Sequence, residues 1–235
     1  MRVWITRTAP EAQATAERVA ALGHRAIIAP LLAVERLAGV PPLDGVGALA
    51  FSSRHAVEAF ARSSTARALP VFVTGAATAR AARAAGFTQV RDADGDGRAL
   101  ARVIAAEHRG SNGAVLHPAA EEPAFDMVAA LAAEAVQASS YAAYRTFPLE
   151  LTPNVVALLR DAALDAVLVH SAKAAGEIAR RLTSGQAGRL HAYVISASVA
   201  EALAGAGFKG VHVADQPTEA ALLRRLGPAS DEAHA

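Results

Sequence analysis

The 235-residue chain contains no cysteine. That excludes disulfides, thiolate metal sites and a cysteine nucleophile, though it does not fix a compartment. Charge of one sign is lacking too. Lys plus Arg is 23 and Asp plus Glu is 22, a net charge of +1. A nucleic-acid binder carries a clustered basic excess, and here the arginines are scattered, so no nucleic-acid partner is expected. No apolar run reaches the ~18 residues of a membrane span. The opening Met1–Gln13 turns polar too soon for a secretory signal, so a cytoplasmic protein is expected. Tyrosines are few: Tyr141, Tyr144 and Tyr193. There is no G-x-S-x-G, no P-loop and no G-x-G-x-x-G after a strand, so no nucleotide or hydrolase motif is present.

What is present is apolar: 53% of residues are hydrophobic, many of them alanine, enough for a sizeable core. Short apolar runs alternate with Ala/Leu-rich helical stretches. Val3–Ile5, Ala26–Ala29, Ala48–Phe51, Val71–Val73, Val90, Ala114–Leu116, Val167–Val169, Tyr193–Ile195 and Val211–Val213 read as strands. A helix is expected over Pro10–Leu22, stopped by Gly23. Glu121 and Glu122 read as the start of another, where the dipole favours carboxylates. Strand-helix alternation predicts an α/β fold with parallel sheets.

An internal repeat carries more information than any motif. The segment from Phe51 to Val57 resembles that from Val169 to Ala175, an offset of 118 from Ser53 to Ser171. Val73–Ala79, running to Gly86, resembles Val194–Ala200, running to Gly207, at an offset of 121. The stretch around Leu100 resembles that around Leu222, at 122. A period near 120 means two duplicated domains. The second copy is complete only if residues 1–30 belong to it. Extended connectors at Leu31–Pro42 and Tyr144–Pro153 suggest that the chain leaves one domain, builds the other, and returns through a two-stranded hinge. The boundaries expected are 1–32 plus 152–228 for a discontinuous first domain, 44–143 for the second, 33–43 and 144–151 for the linker, and 229–235 for a disordered tail.

In open parallel sheets ligands bind beyond the carboxyl ends of the strands. The residues expected there are Thr6, Arg7, Ser52, Ser53, Gly75, Thr78, His117, His170, Ser171, Ser196 and Ser198. Hydroxyls and free amides at helix starts make anion sites, although each Ser or Thr alone reads equally as an N-cap. Arg7 could pair a carboxylate bidentately or lie on the surface. His117 and His170 read as strand ends at equivalent depth and could donate to an anion or transfer protons, or simply hold a backbone partner. The other histidines form no spaced ligand set, so no metal is expected. Asp92–Gly97 lacks the twelfth-position glutamate of a calcium loop, standing instead as a turn before a helix.

Several segments together resemble the uroporphyrinogen-III synthase family: Ile5-Thr6-Arg7 with Gly23 and Ala29-Pro30-Leu31; Phe51-Ser52-Ser53-x-x-Ala56-Val57; Val73-Thr74-Gly75-x-x-Thr78-Ala79; Tyr144-Arg145-Thr146; and Pro217-Thr218-x-x-Ala221-Leu222. The resemblance implies two flavodoxin-like α/β domains joined by a two-stranded β-ladder. It implies a cofactor-free monomer that closes hydroxymethylbilane, a linear tetrapyrrole with eight carboxylates, handed over by hydroxymethylbilane synthase. It makes Tyr144 the catalytic candidate. The chain departs from the family in its second copy, where Ser196, Ser198 and Val199 replace Gly and a Thr pair, and His170 replaces Thr or Ser. The rival readings are a non-catalytic binder of a polyanionic small molecule and a tandem receiver-like module. The second lacks the acidic cluster it needs at the strand ends.

Overall fold

The computed structural model describes residues 1–9 and 11–229. The elements in order are β1 (Arg2–Ile5), α1 (Glu11–Ala21), β2 (Arg25–Ile28), β3 (Leu32–Arg36), β4 (Val46–Phe51), α2 (Arg54–Ser63), β5 (Val71–Val73), α3 (Ala76–Ala84), β6 (Val90–Asp92), α4 (Gly97–His108) and β7 (Ala114–Ala120). There follow α5 (Met127–Ala133), β8 (Ala138–Pro148), α6 (Pro153–Arg160), β9 (Ala166–Val169), α7 (Ala172–Arg181), α8 (Ser184–Ala187), β10 (His191–Val194), α9 (Ala197–Glu201), β11 (Gly210–Val213) and α10 (Glu219–Leu226). The chain divides into two compact units, Met1–Ala33 with Phe147–Ala235, and Val34–Thr146. It is an α/β fold of two sheets, parallel except at the edge pair β3–β8 of the second, and the first unit is discontinuous.

The sheet of the first unit runs β11-β10-β9-β1-β2, and every pair is parallel. Its strands read as continuous apolar runs because both faces are covered. Trp4, Val167 and Val169 point to one core, while Val3, Ile5 and Leu168 point to the other, the alternation that a pleated strand imposes. Trp4 is fully buried, and its indole N–H donates to Ala29 O at 2.8 Å. The second unit is built alike, in the order β3-β8-β7-β4-β5-β6. Leu49 and Phe51 face one core, Ala48 and Ala50 the other. Without its edge strand β3, this is the spatial order of the first sheet, entered by the chain at a different strand.

Helix starts follow local chemistry. Ser53, Asp96, Asp126, Thr152, Ser171 and Thr218 each cap a helix by accepting a backbone N–H through the side chain. Apolar residues at helical spacing, Ala56, Val57 and Phe60 on α2 and Ala174, Ala175 and Ile178 on α7, seat these helices on their sheets. β3 and β8 are neighbours running in opposite senses: Leu37 N–H donates to Ala143 O at 3.0 Å, and Leu149 N–H to Leu31 O at 2.9 Å.

Two expectations are corrected. Glu121 and Glu122 open no helix. They lie in the bend after β7, and α5 starts at Met127, because Asp126 has the side chain and dihedrals of a cap. His117 does not end a strand. β7 continues to Ala120, held by its long pairing with β8. Of the expected tail 229–235, Ala229 donates its amide to Leu22 O at 2.8 Å, and 230–235 lie outside the described residues, as does Pro10 of the expected first helix. No helix among the described residues is long and apolar enough to cross a membrane.

Candidate functional site

In both sheets the strand order reverses direction at one point, the place where open α/β folds bind ligands. In the second unit that point lies between β4 and β7. β4 delivers Ser52 and the α2 cap Ser53, whose Oγ accepts from His55 N–H at 3.1 Å. Thr74, after β5, donates its hydroxyl to Ser52 O at 3.3 Å. Gly75 caps α3 with no side-chain bond, so amides of that first turn keep no side-chain acceptor. β7 contributes His117 and β8 contributes Tyr144. Ser52, Ser53, Thr74, His117 and Tyr144 line one hollow of about 370 Å³, with Asp96, Gly97 and Phe125 also on its wall.

His117 is 3% exposed, and its Nε2 lies 3.1 Å from Ser52 Oγ. Burial pushes its imidazole down to about 4, against the weaker opposite pull of Asp126. The ring is therefore neutral at pH 7, and either the serine or the imidazole donates in that bond. Tyr144 is 9% exposed and packs in the core with Phe51 and Val57, its ring centroid 5.9 Å from that of His55. Burial, then the Arg54 charge, pushes His55 below its usual value, with Glu58 opposing. The hollow thus holds a phenol, a neutral imidazole, hydroxyls and helix-start amides. It can donate hydrogen bonds to an oxygen and offer partial positive charge without a formal cation.

The equivalent rim of the first unit is occupied by its own side chains. Thr6, 1% exposed, donates its hydroxyl to Leu168 O at 2.8 Å and so stitches β1 to β9. Arg7 donates to Glu219 Oε2 at 2.7 Å and to Thr15 Oγ1 at 3.3 Å. Thr15 donates to Glu219 Oε1 at 2.6 Å, and His170 Nε2 lies 2.9 Å from Glu219 Oε2. Burial alone would raise the Glu219 carboxyl. The hydrogen bonds from His170 and Thr15 and the charges of His170 and Arg7 outweigh it and bring the group to about 2. Burial lowers the His170 imidazole, although Glu219 pulls the other way. Since Nε2 must donate to the carboxylate, the buried Nδ1 is left without a partner among the described residues. Ser171 caps α7 through Ala174 N–H at 3.2 Å. Ser196 spends its hydroxyl on Ser198 Oγ at 3.0 Å, leaving the α9 amides uncapped by a side chain.

The structure therefore brings Ser52, Ser53, His117 and Tyr144 together around one hollow. Gly75 and Thr78 do not line it, and Thr78 is buried within α3. Thr6, Arg7, His170, Ser171, Ser196 and Ser198 belong to the other unit's rim. Sequence reasoning missed Glu219, Thr15 and Phe125. Glu219 opens a helix, where an acid reads as a dipole complement, and nothing local marks its partners, which come from β1, α1 and β9. Among the described residues no group of three or more metal-ligand side chains is clustered.

A family model described as uroporphyrinogen-III synthase HemD matches residues 13–224. The structure is similar to that of uroporphyrinogen-III synthetase from Helicobacter pylori, at 16% identity over 95% of this chain and 96% of that one, with a TM-score of 0.67. It is also similar to a mutant uroporphyrinogen III synthase from the extremely thermophilic bacterium Thermus thermophilus, at 18% identity over 96% and 98%, with a TM-score of 0.61. No curated protein matches by sequence. With most of its length under one family model and this fold, the chain belongs to the uroporphyrinogen-III synthase family.

Proposed function

We propose that this chain is a water-eliminating lyase that closes hydroxymethylbilane to uroporphyrinogen III. The substrate loses its terminal hydroxyl as water and becomes a cationic azafulvene. The far ring attacks through its already substituted carbon, giving a spiro intermediate, and fragmentation and reclosure leave that ring inverted. Closure without an enzyme omits the inversion, so the protein's task is largely to hold the chain in one conformation. Orientation of this kind contributes up to roughly 7–11 kcal/mol in favourable cases.

The observation that carries the reading is that Tyr144 and the Ser52–His117 pair line the same hollow, beside the starts of α2 and α4. The Tyr144 phenol donates its O–H as a hydrogen bond to the departing hydroxyl. Neutral His117 holds Ser52 in place. A hollow of about 370 Å³ is too small for four substituted pyrroles, so it takes the reacting end. The rest of the polyacid lies outside it. In this reading the enzyme is a cytoplasmic monomer without a cofactor, supplied by hydroxymethylbilane synthase.

The test is to incubate the purified protein with freshly made hydroxymethylbilane and type the product. Uroporphyrinogen III is expected. Formation of only the I isomer overturns the reading and leaves a binder of polyanions. Tyr144→Phe is expected to slow formation of the III isomer by about 10²-fold, the low end of general-acid catalysis. Full rate in that variant removes Tyr144 from the mechanism.

A further inference from the structure

Among the described residues, the hollow around Tyr144 has no cationic side chain on its wall. Its one ionised lining group is the carboxylate of Asp96, already accepting the amides of Arg98 and Ala99 at 2.9 and 3.0 Å. A ligand with many carboxylates gains nothing from that charge. Phe125, however, lines a second hollow as well, also about 370 Å³, between α4 and α5. Arg98 and Arg102 stand on its α4 side, one helical turn apart and so on one face. Neither forms an ion pair among the described residues. The Arg98 guanidinium carbon lies 6.0 Å from the Phe125 ring centroid. The acid across the hollow, Glu134, is held by Arg109 at 2.6 Å. Gly97 allows this arrangement: a Cβ there would come within 2.6 Å of Phe125 Cδ1.

We infer that the Arg98–Arg102 hollow is a carboxylate subsite, which receives an acetate or propionate arm of a pyrrole ring lying against Phe125. The inference rests on the function proposed above and adds where that substrate's charge is met. Two guanidiniums one turn apart can each fork onto a carboxylate, which lysines cannot do. The aromatic wall gives the ring a face, and the arms pass around its edge toward the arginines.

The experiment compares R98Q/R102Q with the wild type and with R80Q/R83Q, which removes the same charge from exposed positions of α3. For R98Q/R102Q the KM for hydroxymethylbilane is expected to rise at least about tenfold, with kcat within about twofold, while the control stays near wild type. R98K/R102K is expected to recover only part of the loss. An unchanged KM, a fall confined to kcat, or an equal rise in the control overturns the subsite. A calorimetric titration with benzenehexacarboxylate decides the matter apart from turnover. Binding is expected to weaken in R98Q/R102Q, and equal binding overturns the subsite. If the wild type makes no III isomer, the proposed function fails, and this titration still judges the subsite.

Discussion

The two units share a sheet order and differ at one helix start. β2-β1-β9-β10-β11 in the first corresponds to β8-β7-β4-β5-β6 in the second. The helix after the last strand is capped by Thr218 in one and Asp96 in the other, an offset of 122. The next residue is Glu219 in the first unit and Gly97 in the second. The glutamate reaches back to Arg7, Thr15 and His170 and consumes the donors of that rim. The glycine has no side chain to reach with, and a hollow remains beside Ser52 and His117. Duplication supplies two equivalent rims, and the side chain at this position decides whether the rim satisfies itself or stays open for a ligand.

The strongest way to break the comparison is to give the open rim the closed rim's residue. Gly97→Glu places a Cβ against Phe125 Cδ1, where only 2.6 Å is free, and sends a carboxylate toward the hollow. Formation of uroporphyrinogen III is expected to fall by more than about 10²-fold, since displacement by an ångström suffices for such a loss. The product assay, run beside circular dichroism to show a retained fold, checks it. A variant that is folded and fully active would mean that the hollow is not where chemistry occurs.

The reverse change tests the closed rim. Glu219→Ala leaves Arg7, Thr15 and His170 without their shared acceptor. Groups stranded in this way cost about 2 kcal/mol for a part-buried site. For a domain of this size that is a drop of about 4–8 °C in Tm. Thermal unfolding measures it. No shift would show that the network adds nothing to stability and that its residues are free for other work.

How far the sequence revealed this follows from the range of the interactions. Parallel strands buried on both faces announce themselves as unbroken apolar runs, so β1, β4, β5 and β9 were legible. The repeat gave the equivalence of the rims, because caps such as Ser53 and Ser171 are local devices. The length of β7 was not legible: Pro118 reads as a strand breaker, and only pairing with β8, in which Pro118 faces Tyr141, shows that the strand goes on. The joining of Arg7, from the start of the chain, with Glu219, near its end, depends on tertiary packing alone. Phe125 follows Glu121 and Glu122, which predict a helix start, and nothing local in the sequence marks its ring as the wall of a hollow.

The finest distinction between the units is their response to acid. His117 is held at about 4 in the folded protein, against an ordinary 6.5. On acidification the unfolded chain takes up this proton first, so stability of the second unit falls as pH drops from 6.5 toward 4. Glu219 is held at about 2, against an ordinary 4.5. Its contribution is complete above 4.5 and is lost as pH falls from there toward 2. Urea denaturation at stepped pH should therefore show two windows. His117→Gln is expected to reduce the upper fall by up to about 3 kcal/mol, His55 and His170 supplying the remainder, and to leave the lower window intact. Glu219→Gln should reduce the lower one. If His117→Gln left the fall between 6.5 and 4 unchanged, the buried neutral imidazole would not be its source, and the acid sensitivity there would belong to His55 and His170, whose rings burial also holds low.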